Sequence, residues 1–61
     1  MKTKKQVIKE MIDNHQEDLY KMEIVRDYQS TIETPQAREQ VNSAKKRIED
    51  ITKQMEWLKQ Q

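Results

Sequence analysis

Six apolar residues in the second half of the chain, Val41, Ala44, Ile48, Ile51, Met55 and Leu58, are spaced three, four, three, four and three apart. Such a run is an unbroken heptad seam, which a helix cannot bury by itself and which demands a second helix against it. The chain has 61 residues and no cysteine. Chains this short bury only about 60% of their unfolded surface and rely on a staple, a metal or association. Disulfides and thiolate metal sites are absent, and a single histidine builds no metal site. The seam must therefore be covered by the first half of the chain, by another copy, or by both.

The one strong helix breaker is Pro35, preceded by Thr34. Thr as N-cap with Pro in the first helical position is a start signal, because proline lacks the amide hydrogen left unpaired there. The residue before proline is pushed out of the helical region, so an earlier helix must already have stopped. At the other end, Thr3-Lys4-Lys5-Gln6 has the form of a capping box. Helices are expected over about residues 4–31 and 35–59, as one domain spanning 1–61. The first helix has no glycine to cap it, so its last turn is expected to fray or tighten.

The first helix carries a broader stripe of Ile8, Ile12, His15, Leu19 and Met22, widened by Met11 and Val25. A short connection makes the helices antiparallel neighbours. Folding near residue 33 sets Ile8 against Leu58, Met11 and Ile12 against Met55, and His15 against Ile51. Leu19 then meets Ile48, Met22 meets Ala44, and Val25 meets Val41. Two separately written seams thus fall into register about one turn, the signature of an all-α antiparallel helical hairpin. The first stripe spans about 140° at 100° per residue, wide enough for two neighbours. Hairpins are accordingly expected to dimerise into a four-helix bundle, with Ala37 and Ala44 allowing close helix approach.

Hydrophobic residues are 33% of the chain and charged residues 38%, with a net charge of +1. The balance of charge and the periodic apolar positions argue against a disordered chain and against strong attraction to polyanions. No apolar run approaches the ~20 residues of a membrane span, so no membrane partner is expected and the chain reads as cytoplasmic. The carboxylates occupy solvated helix faces, and neither a phosphate loop nor a cysteine nucleophile is present. A helical hairpin also lacks an enclosed pocket. No catalytic residue, cofactor or metal is expected.

Three features remain as functional candidates. Tyr20, Ile24 and Tyr28 repeat every four residues about 160° from the core stripe, and Trp57 also turns away from its seam. Exposed aromatics combine large area with a polar handle, which suits a protein interface or packing on a neighbouring hairpin. His15 at a core position reads as a partly buried residue that fixes register or bonds Asp18 one turn on, with a pH-responsive core histidine as a further reading. A metal reading would need a second histidine or a Glu-x-x-His repeat. Arg26 and Gln29 on the same seam mark a wetter turn end. Lys4 and Lys5, with Lys2 and Lys9, form one basic group beside Glu56; Lys45, Lys46 and Arg47 form another. Together these groups are a candidate nucleic-acid surface, although solvated helix faces have the same composition.

In length and plan, two helices joined at one short turn, the chain resembles the Rop family of plasmid copy-number regulators. That resemblance implies a dimeric bundle that binds RNA loop pairs. It is architectural and matches no RNA-contacting residue by position, so no family is claimed. The Ser-Gln-Glu-Leu-Asp motif of short hairpin phosphatases is absent, and nothing around Asn42-Ser43-Ala44-Lys45 replaces it. The leading expectation is a non-enzymatic adaptor, regulator or inhibitor that self-associates and presents a helix face to another protein. A nucleic-acid-binding hairpin is the alternative.

Overall fold

The computed structural model describes all residues 1–61 as two helices, α1 (Lys4–Gln29) and α2 (Pro35–Lys59), packed side by side with no strand. The molecule measures 48 × 17 × 12 Å, a rod two helices wide. Neither helix is long and apolar enough to cross a membrane.

Both start signals work as their chemistry requires. The Gln6 amide donates to Thr3 Oγ1 at 3.2 Å and the Thr3 amide donates to Gln6 Oε1 at 2.9 Å, a complete capping box. Thr34 is extended, with φ −131° and ψ 155°, and its Oγ1 accepts from the Ala37 amide at 3.1 Å ahead of Pro35. Replacing Thr34 with Ala is expected to cost about 1 kcal/mol. A shift in the urea midpoint relative to Ser43→Ala, an exposed hydroxyl that makes no hydrogen bond, measures it; equal shifts would deny the cap its role.

α1 ends at Gln29, two residues short of the expected end near residue 31. The cause is local. The Thr31 and Ile32 amides donate to the Tyr28 and Gln29 carbonyls, which tightens the chain to i→i+3 bonding. Ser30 and Thr31 hydroxyls donate to the Asp27 and Tyr28 carbonyls at 2.8 and 2.7 Å, satisfying acceptors that a longer helix would have used.

Burial is lopsided. Every buried residue, Ala37, Ala44, Ile51, Met55 and Leu58, belongs to α2, and Ile51 is wholly covered. Four of these recur every seven residues, so α2 presents one straight row to α1. The first two members are alanines and the last two are Ile51 and Leu58. On α1, Ile8, Ile12, His15, Leu19, Met22 and Val25 are only half-buried. A broad stripe facing a single helix is covered along its centre and left open along its edges. Met11, expected to face Met55, stands on such an edge and is 43% exposed.

Candidate functional site

The sides of the hairpin follow from the two seams. One groove along the helix junction is lined by Met11, His15, Gln54, Trp57 and Leu58. Another, on the opposite side, is lined by residues that include Lys5, Ile8, Lys9, Ile12, Leu58 and Lys59. These memberships agree with the heptad phase, which places rows next to the core alternately on either side. They also confirm the register, because Ile8 and Leu58 share a groove, as do His15, Met11 and Gln54. Residues of α1 and α2 whose numbers sum to about 66 therefore stand at the same height, to within a helical turn.

The two sides differ in chemistry. On the Trp57 side the flanking rows hold Val7, Met11, Val25, Tyr28 and Trp57 together with several Gln, Asn and Ser residues. Their charges are Lys4, Asp18, Lys21, Arg47 and Asp50, five among fifteen positions. The equivalent rows on the other side carry nine charges among fourteen positions and one large apolar residue, Tyr20. Among them Lys9, Arg38, Lys45 and Lys59 lie nearest the seam, with Glu23 the one acid in that row. The hairpin thus has an apolar side and a charged side.

Tyr20, Ile24 and Tyr28 are 57%, 68% and 64% exposed. Each step of four residues turns the helix about 40–50° past a full circle. The stripe consequently crosses the outward surface of α1 obliquely, from the charged side at Tyr20 to the apolar side at Tyr28. Trp57 is 61% exposed but does not join them. It stands about level with residue 9, some 16 Å along the axis from Tyr20 at about 1.5 Å per residue. Its neighbours across the groove are Met11 and His15. Reasoning on each helix alone missed Met11 and His15 as Trp57's neighbours across the groove. Their i, i+4 spacing was the available signal.

His15 is half-buried at its seam position, and its Nδ1 is buried without any hydrogen-bond partner. Of the sequence readings, the bond to Asp18 is not made by this atom. No group of three or more Asp, Glu and His side chains gathers where it could hold a metal ion.

Of the basic residues, Lys4 and Lys5 lie at the open end of the rod and Lys45, Lys46 and Arg47 near its middle. The groups are separated by about fifteen residue heights, roughly 22 Å. Lys45, Lys46 and Arg47 are consecutive on a helix and point in three directions. The fold does not gather them into one patch. Lys2 pairs with Glu10 at 2.7 Å, eight residues on. Lys53 pairs with Glu49 at 3.0 Å. That hydrogen bond, reinforced by the opposite charge, lowers the Glu49 pKa and raises that of Lys53. Both groups are fully exposed, and such pairs contribute little to stability.

Comparison of the chain with protein-family models, with curated proteins and with solved structures finds no match.

Proposed function

We propose that the protein is a non-enzymatic interaction module, a helical hairpin that self-associates through its coiled-coil-like helices and offers the outward face of α1 to a partner protein. One observation carries this reading: α1 bears a wide apolar stripe, yet none of its residues is buried by α2. A side chain left half in water forfeits much of the roughly 1.5–3 kcal/mol that full burial supplies. Additional surface must cover those edges for the helix to recover it. The oblique stripe of Tyr20, Ile24 and Tyr28 supports the second half of the reading, since it exposes three large residues turned away from the hairpin seam.

Sedimentation equilibrium at micromolar concentrations is expected to show a dimer, and a clean monomer at high micromolar concentration would remove self-association. Changing Tyr20, Ile24 and Tyr28 together to Ala is expected to weaken capture of the partner at least tenfold while leaving far-UV circular dichroism close to that of the parent. Equal loss of capture and helicity would make the stripe a structural feature. The rival reading, a nucleic-acid-binding hairpin using Lys4, Lys5, Lys45, Lys46 and Arg47, requires RNA or DNA binding that falls steeply with salt.

A further inference from the structure

The apolar side of the hairpin has the composition and layout of an interface with itself. A folded monomer of 7.5 kDa exposes about 4,200 Å². This chain exposes 5168 Å². The excess, about 900 Å², matches the ~800 Å² that each partner contributes to a stable interface. It is the excess of a rod, and side-by-side pairing removes it.

Charge selects the side. Around mid-height the apolar side carries Asp18 and Asp50 against Lys21 and Arg47, a neutral set. The ion pairs of the chain use Lys2–Glu10, Lys21–Glu17, Arg26–Asp27 and Lys53–Glu49, so Asp18, Arg47 and Asp50 have no partner within it. On the opposite side, pairing would strip water from nine charged side chains, and interface cores are depleted of charge.

Height selects the orientation. Trp57 stands level with Val7 and Met11, and Arg47 stands level with Asp18, each pair on different helices. We propose that a second copy of the chain packs on the Trp57 side, related by a two-fold axis along the length of the hairpin. The axis keeps every residue at its own height while exchanging helices across the interface. The α1 of one copy then lies against the α2 of the other. Trp57 packs on Val7 and Met11 of the other copy, and Arg47 meets its Asp18. All neighbouring helices remain antiparallel, which opposes their dipoles favourably. Turning the second hairpin end for end would instead set Trp57 over Ser43 and Gln40 and bring Asp18 near its own copy. This arrangement rests on the self-association proposed above and adds its face and direction.

The test uses the intact chain, whose lack of cysteine makes single-cysteine variants clean. A mixture of Met11→Cys and Gln54→Cys chains is expected to oxidise mainly to the mixed disulfide dimer. Predominant linking of Met11→Cys to Val25→Cys would mean the end-for-end arrangement and overturn the proposal. Trp57→Glu, and separately Met11→Glu, are expected to raise the dimer dissociation constant more than tenfold at unchanged helicity, while Lys45→Glu leaves it within about twofold. A dimer broken by Lys45→Glu but not by Trp57→Glu would overturn the face and leave self-association standing. A parent chain that is monomeric throughout would overturn both.

Discussion

Replacing Ile51 with Ala is expected to unfold most of the population at moderate temperature. Ile51 is the one side chain wholly removed from solvent, and it stands at the height of His15 near the middle of the seam. Removing a buried Ile side chain down to Ala costs about 2–5 kcal/mol, part of it from the cavity left behind. A domain of this size has little more than that to lose, since small cores rarely supply above ~3–5 kcal/mol. Thermal unfolding followed by circular dichroism, at one fixed protein concentration because association shifts the midpoint, measures the effect. Ile24→Ala is the matched comparison, being the same truncation at a site that is 68% exposed. A loss at Ile24 equal to that at Ile51 would show that the seam described here is not the core.

His15→Leu is expected to act in the opposite direction. The Nδ1 of His15 is buried with nothing to bond. A buried polar atom left unsatisfied costs about 1–3 kcal/mol, and an apolar side chain of similar size avoids that penalty. A gain of about 1–2 kcal/mol corresponds to a melting point higher by about 5–15 °C in a domain of this length. Lower stability for His15→Leu would mean that the imidazole is held by an interaction worth more than its desolvation. Polar residues at seam positions also fix register at the expense of stability. The stabilised variant is therefore the place to look for loosened pairing, which the Met11→Cys and Gln54→Cys mixture reads directly.

Local chemistry accounts for the parts of the fold that were legible from sequence. Thr34-Pro35 and Thr3-Gln6 act through atoms within three residues of each other, so their caps need no tertiary information. The seam of Val41 to Leu58 is legible because burial against one neighbour selects one helical phase. The end of α1 was less so: Ser30 and Thr31 compete for the last carbonyls through their hydroxyls, and no glycine marks the stop. The exposure of Tyr20, Ile24, Tyr28 and Trp57 also follows from helical phase alone. What phase cannot supply is company. Trp57 meets Met11 because the antiparallel turn sets residue heights and sides together, and neither helix encodes that by itself. The idle Nδ1 of His15 was illegible for a related reason, since the Asp18 bond depended on which way the ring turned into the seam.

The straight row of Ala37, Ala44, Ile51 and Leu58 orders the assembly of the hairpin in time. Each successive member closes a longer loop about the turn, from a few residues at Ala37 to about fifty between Ile8 and Leu58, and each closure costs more chain entropy than the last. The contacts that close most cheaply are the alanines, which bury least, while the bulky contacts that reward closure come later. A zipper arranged in this way gains little from its first teeth.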